Sequence, residues 1–426
     1  MNAATYNTTV LENGVTVVTA EMPFMESVCV GAWAAVGSRY ESPALNGIAH
    51  FVEHLLFKGT PTRDAIQISR EIEGIGASVD AFTTEDHTCF YTRGPAETLG
   101  LLTDVLMDLV CHPNCDPVEI EREREVILEE INMYRDNPSQ HVEDLLGAAA
   151  WPEHPLGRPI TGTSESVEEI NRGDLFSFHQ TRYTGENLII SAAGKLNHAE
   201  FLALVQPLVE HLPKGEKLTC PKVPESMKES GPRRCEEIRD HIEQAHVCIG
   251  FHTHGRHATE RHGLKILNVL LGENMSSKLF QVLREENGLC YSVFSDVMNL
   301  EDTGLLSIST GLDLENVPKA LDLIADCLHD FQANKVNAKM LDQAVTYTIG
   351  QGRMALESTA NQMMWCGESL LAYGRVIEPA ESFAKLRGVT AGEVQELAKQ
   401  TFRPSTTAIA YIGADVPDLA LNAFLT

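Results

Sequence analysis

Two histidines and a glutamate, set close together, are the residues of this 426-residue chain best placed to do chemistry. They lie in the run His50-Phe51-Val52-Glu53-His54. On a helix His50 and His54 are i and i+4 and stack on one face. At that spacing two imidazoles can reach one metal ion at about 2.0–2.1 Å. Glu53 lies beside the face, where a carboxylate can take a proton from a water that the metal polarises. Ile48, Phe51, Val52, Leu55 and Leu56 form the other, apolar side and suit packing on a sheet. The pentapeptide alone equally describes a buried amphipathic helix with solvated polar residues. A catalytic zinc needs a third protein ligand and one open position.

The candidate source of that ligand is the acidic run Asp116 to Ile131. Its start is marked by Asp116 as N-cap, Pro117 at the first helical position and Glu119 as the partner in a capping box. Glu123 and Glu130 are seven residues apart, two turns along one face. Glu119, Glu121, Glu125 and Glu129 read as a solvated face laced with Glu–Arg pairs. A zinc site at Cys111-His112-Pro113-Asn114-Cys115 lacks a second ligand pair at usable spacing. The other cysteines sit mostly in apolar runs and read as small buried hydrophobes.

These side chains are positioned by a duplicated framework. Val28-Cys29-Val30-Gly31 returns as Val247-Cys248-Ile249-Gly250, an offset of 219. The segment Ile170–Tyr183 lies over Val389–Phe402 at the same offset, as does Gly194 over Gly413. A unit of this length marks two homologous domains rather than a solenoid. Prolines 207, 213, 221, 224 and 232 crowd the junction. We therefore expect domains at 1–212 and 233–426 joined by a Pro-rich linker at 213–232. Within the first, strands are expected around the Asn13-Gly14 turn, over Glu26–Val36, Val79–Phe82 and Thr88–Thr92. Helices are expected over Ala49–Phe57, Ile66–Glu73 and Ala96–Cys111. The mixed order predicts an α+β fold, each domain a mixed sheet with helices packed on one face. In the repeat Gly47–Leu55 lies over Gly263–Leu271, so His50, Glu53 and His54 fall on Ile266, Val269 and Leu270. The second domain is expected to bind no metal there.

The formal charge is −27, from 60 acids and 33 bases, which disfavours nucleic acid and anionic membrane as partners. Residues 1–212 hold 32 of the acids and 12 of the bases, an acidic surface suited to solubility or to cationic ligands. No apolar run reaches the ~18 residues of a membrane span. The first residues lack the basic flank and apolar core of a secretory signal. A cytoplasmic location with reduced thiols is the expectation.

The run His50–Thr60 resembles the inverted zinc motif of the pitrilysin/insulinase metallopeptidases. The acidic run Glu121–Glu130, ending 76 residues after His54, resembles that family's third-ligand helix. The resemblance spans essentially the whole chain and is nearest the half-length, processing-peptidase-like members. It implies zinc held by His50, His54 and Glu130, Glu53 as general base, and Glu123 as a supporting functional residue. The segment Ser277–Ser292 resembles the family's second-domain motif, which implies that Arg284 and Tyr291 bind the substrate carbonyl and stabilise an oxyanion. The segment Ala77–Tyr91 resembles the strand on which relatives bind peptide by strand addition, making Asp80 and Phe82 candidate substrate-binding residues. Many relatives have Asn in place of Asp80. Presequence-cleaving members read an arginine with two acids four residues apart, here Gln140 and Asp144, so one acid is missing. Full-length relatives close a chamber from two double-domain halves. This chain supplies one half, which implies a homodimer or a degenerate homologous subunit as partner. The function so implied is a zinc endopeptidase on short or unfolded peptides. The alternative is a non-catalytic, core-type subunit of a larger complex.

Overall fold

Period-two alternation builds two sheets of one design. In the computed structural model, which describes residues 4–415, the first sheet contains β1 (Thr5–Val10), β2 (Thr16–Glu21), β3 (Ser27–Ala34), β4 (Ser78–Thr83), β5 (Thr88–Pro95) and β6 (Leu188–Gly194). Its order is β1-β2-β6-β3-β5-β4. The second contains β7 (Arg233–Ile238), β8 (Gln244–Thr253), β9 (Cys290–Asn299), β10 (Gly304–Asp313) and β11 (Thr407–Gly413), in the order β7-β11-β8-β10-β9. Without β1 the two orders coincide. Each sheet has one parallel pair, β2 with β6 and β7 with β11, and its other neighbours run antiparallel. The offset of 219 carries β6 onto β11 and helix Arg172–Arg182 onto Ala391–Thr401 with no shift at either end. The fold is α+β, with two mixed sheets and packed helices.

The chain forms two compact units interleaved in sequence. One comprises residues up to Asn132, Pro159–Pro221 and Arg353–Ile377, and the other Met133–Arg158, Lys222–Gly352 and the residues from Glu378 onward. The strands of the two sheets fall on either side of 213–232, where the chain is irregular apart from one helical turn, Glu225–Lys228. One helix from each half, however, belongs to the other half's unit.

In the first unit Val28, Val30, Ala32 and Ala34 of β3 face helices of the same half, among them Ile48–Leu56, Leu99–Cys111 and His198–Val209. The alternate residues Cys29 and Trp33 face the helix Thr359–Tyr373, which supplies Met363, Cys366 and Leu370. The approach is close enough to need glycine. A Cβ on Gly367 would stand 2.2 Å from the Trp33 ring, and one on Gly31 would stand 2.3 Å from Met363 Sδ. The second unit repeats the arrangement. Val247, Ile249 and Phe251 of β8 face the second half's own helices, while Cys248 meets Val142, Leu146 and Ala149 of helix Pro138–Ala150. Two local expectations change. Ala96–Thr98 is a 3-10 turn leading into Leu99–Cys111, and Glu119 pairs with Arg122 instead of closing a capping box.

Candidate metal centre

The helix Ile48–Leu56 begins at Gly47, whose φ of +93° is the left-handed region that disfavours side chains. A Cβ there would also stand 2.6 Å from the Thr161 carbonyl. The first-turn amides have no partner within the helix. The buried carboxylate of Glu41 takes two of them, accepting from Gly47 N and Ala49 N, both at 2.8 Å. A negative group at this end also meets the favourable end of the helix dipole. Phe51, Val52, Leu55 and Leu56 are buried in the sheet-facing cluster, which leaves His50, Glu53 and His54 on the other side.

The acidic helix Pro117–Asp136 is capped by Asp116, which accepts from Val118 N at 2.8 Å. Its buried stripe is Ile120, Glu123 and Ile127, with half-buried Glu130 one turn on. Glu121, Glu125 and Glu129 point to solvent. One periodic face thus selects two carboxylates from a strongly acidic helix.

The two helices bring His50, His54 and Glu130 together, with one ligand atom from each inside a 4.8 Å span. Glu130 Oε2 lies 3.7 Å from His50 Nε2 and 3.5 Å from His54 Nε2. Tetrahedral ligands at zinc distances are about 3.3–3.4 Å apart, so the donor set and its spacing fit Zn2+ with a fourth position for solvent. The other nitrogen of His54, Nδ1, lies 3.1 Å from Glu123 Oε2, and Lys58 Nζ holds Glu123 Oε1 at 2.6 Å. A carboxylate behind a ligating imidazole fixes its tautomer and orientation. Among the described residues no other three His, Cys, Asp or Glu converge in this way, Cys111 and Cys115 included.

The electrostatics split the polar groups. Burial, then the neighbouring His54, push His50 down to about 4. Burial works against charge on His54 too, but the Glu123 and Glu130 carboxylates outweigh it and raise His54 to about 9. Burial likewise opposes charge on Glu123, yet His54 and Lys58 hold its carboxyl below the usual range. Glu53 moves the other way. Its burial lifts the carboxyl above the usual range against the opposing bond from Thr83. A raised carboxyl is the state suited to accepting and returning a proton near neutrality.

The remaining candidates separate. Asp80, on β4 of the first unit, accepts from Ala81 N at 2.8 Å and from the Tyr91 hydroxyl at 3.3 Å. Phe82 turns into an aromatic cluster, edge-on to Trp33 at 5.9 Å and to His87 at 6.0 Å. In the second unit the Arg284 guanidinium lies over the rings of Phe280 (4.8 Å) and Tyr291 (5.1 Å), and Tyr291 is 83% exposed. Asp144, also there, sits 3.6 Å from His141, and Gln140 accepts from Asn137 at 2.9 Å. Sequence reasoning missed Glu41, Lys58 and Thr83. Lys58, four residues after His54 on the same side, was open to the i, i+4 argument. Glu41 and Thr83 act across the fold and left no local pattern.

Two family models match successive stretches of the chain. Residues 16–164, which hold the whole His–His–Glu cluster, match the insulinase (peptidase family M16) model. Residues 169–347 match the model described as the peptidase M16 inactive domain. An uncharacterized zinc protease of Mycobacterium tuberculosis is 36% identical over 92% of this chain and 89% of its own length. One from Bacillus subtilis is 35% identical over 92% of this chain and 94% of its own. The crystal structure of a protease from Helicobacter pylori superposes with a TM-score of 0.90 at 21% identity, covering 96% of this chain and 100% of that one. A peptidase M16 inactive domain from Pseudomonas fluorescens gives 0.88 at 20%, covering 97% and 98%.

Proposed function

This chain belongs to the insulinase family of peptidases, M16, and from that membership we propose that it is a zinc-dependent endopeptidase of short or unfolded peptides. The observation that carries the reading is the convergence of His50, His54 and Glu130, with Glu53 next to the second ligand and its carboxyl pushed upward. His50 Nε2, His54 Nε2 and Glu130 Oε2 would hold the ion. Zinc, when bound, supplies a Lewis acid that acidifies a water and polarises the scissile carbonyl. Glu53 takes the proton of the attacking water and delivers it to the leaving amine nitrogen. Glu123 keeps the His54 ring turned toward the site. Arg284 and Tyr291 serve as donors to the carbonyl oxygen, contributed by a second copy of the chain in a homodimer. Asp80 and Phe82 mark the strand that receives the peptide, and Asp144 reads a basic side chain. The acidic charge of the first half favours cationic peptides, whose capture weakens with salt. A cytoplasmic setting is part of the same reading. No helix among the described residues is long and apolar enough to cross a membrane.

The test is digestion of an unstructured peptide mixture, read by mass, with and without chelator. Cleavage that disappears with chelator and returns with zinc supports the reading. Chelator-resistant cleavage, or no cleavage by the zinc-loaded protein, overturns it. Mixing Glu53→Gln chains with Arg284→Ala, Tyr291→Phe chains tests the shared site. Random exchange should restore up to roughly a quarter of wild-type activity on two-fold symmetry. No recovery after demonstrated exchange removes the shared site.

A further inference from the structure

Thr83 ends β4, and its hydroxyl oxygen lies 2.5 Å from Glu53 Oε2. A carboxylate only accepts, so Thr83 is the donor. A short bond to a charged acceptor belongs to the stronger class of hydrogen bonds. Among the described residues Thr83 is the one hydrogen-bond partner of the Glu53 carboxyl. Behind Thr83 stands Thr88, in contact with it but not hydrogen-bonded to it, because both hydroxyl protons are engaged elsewhere. The two residues face each other across the β4–β5 ladder, with the two hydroxyl oxygens 3.3 Å apart. Thr88 is fully buried and spends its proton on the Val36 carbonyl at 3.0 Å. Both side chains are β-branched and stiff at χ1, so the hydroxyl that reaches Glu53 has little freedom to swing away.

We propose that Thr83 is the positioning residue of the general base, fixing the Glu53 carboxylate through Oε2 so that Oε1 alone takes and returns the proton. The inference rests on Glu53 being the base. The proton balance closes without Thr83. An O–H bond of water breaks and its proton goes to Oε1. That proton later leaves Oε1 for the amine nitrogen, and Thr83 keeps its own throughout. Placement on β4 adds a second role. β4 is the edge strand of its sheet, paired on one side with β5 and open on the other. A peptide paired along that open edge would be aligned by the same strand that holds the base. Strand and base therefore keep register together, and the loss of Thr83 falls on the chemical step rather than on capture. A misplacement of about 1 Å at a reacting group can cost on the order of 100-fold in rate.

The experiment uses full-length zinc-loaded protein and one internally quenched, unstructured basic peptide. Thr83→Val keeps shape and removes the hydroxyl, and Thr83→Ser keeps the hydroxyl and removes the methyl. We expect Thr83→Val to lose roughly 10- to 100-fold in kcat with KM within about two-fold and zinc content unchanged. Thr83→Ser should recover most of kcat. In a Glu53→Gln background Thr83→Val should cause no further loss and leave the peptide Kd, measured by fluorescence, unchanged. Wild-type kcat in Thr83→Val overturns the proposal. So does a Thr83→Ser as slow as Thr83→Val, which would assign the effect to packing. A full additional loss in the Glu53→Gln background also overturns it. Near-normal turnover by Glu53→Gln alone removes the base itself, which separates failure of that reading from failure of this one.

Discussion

The helix Ile48–Leu56 and its counterpart in the second unit stand at like places beside sheets of like order and present opposite surfaces. The counterpart runs from Arg261 to Asn268 and continues as a π-helical turn, Val269–Glu273. Where the first helix presents His50, Glu53 and His54, the second presents Ile266, Val269 and Leu270, at most 7% exposed and packed in one apolar cluster. The helix Ala338–Ala355, which the 219 offset lays over Pro117–Asp136, has Ile349 at the place of Glu130 and Asp342 at that of Glu123, so the carboxylate nearest the two histidines is gone as well. The strand order that places both helices is shared. A backbone can thus be kept while one copy carries a polar site and the other fills the same place with hydrocarbon. Each choice demands consistency, because a buried polar group needs its partners and a buried methylene needs its neighbours.

The sharpest way to break this comparison is to remove chemistry from one helix and volume from the other. Glu53→Gln should keep zinc and lose about 10²–10⁴-fold in kcat, because the amide cannot accept the proton. His54→Ala or Glu130→Ala should lose zinc as well, as metal analysis would show. Full zinc occupancy in Glu130→Ala would mean another residue is the third ligand. In the counterpart, Ile266→Ala should cost about 2–5 kcal/mol in denaturant unfolding with zinc content untouched. If it altered zinc content instead, the two helices would not be as separate in role as described.

The exchanged helices give a smaller contrast. Gly367→Ala drives a methyl into the Trp33 indole and should destabilise by about 1–3 kcal/mol. Gly147→Ala, on the helix donated the other way, meets its nearest neighbour, Leu156 O, at an ordinary 3.6 Å. It should be neutral or stabilising by up to about 1 kcal/mol through helix propensity. Equal effects in thermal melts would contradict the difference in packing. A further expected effect is on pH. Burial pushes His87 in the first unit and His252 in the second down to about 4, from 6.5. Between those values the unfolded chain binds protons that the folded chain refuses. Stability should be full above pH 6.5 and decline as pH falls toward 4. His87→Phe should flatten part of that slope, and a Tm unchanged from pH 7 to 4.5 would refute the assignment.

Much of this is legible in the sequence. The 219 offset pairs β6 with β11 residue for residue, because strands in a conserved sheet cannot slip without turning their side chains inside out. The i, i+4 histidines and the two glutamates seven apart were legible because helical period alone puts them on one face. The exchanged helices were not. The apolar stripe of Thr359–Tyr373 says that one face is buried but not against which sheet. Thr83 escaped for a related reason. A threonine in a strand is ordinary by propensity, and its value lies in a partner thirty residues away in sequence. Glu41 likewise reads as a loop acid until the helix it caps is in place.

The exchange of helices also sets an order of events during synthesis. The sheet of the first unit has all its strands once residue 194 is made, yet the helix covering Cys29 and Trp33 ends at Tyr373. At about 5–20 residues per second the wait for those last ~180 residues is on the order of 10–35 s. Through that interval an apolar sheet face stands open on the nascent chain, a surface on which unfinished copies can meet each other. The donor helix closes the first unit only after most of the second half has emerged. A ribosome stalled anywhere between the two points would therefore hold a chain with His50, His54 and Glu130 already made and its sheet uncovered.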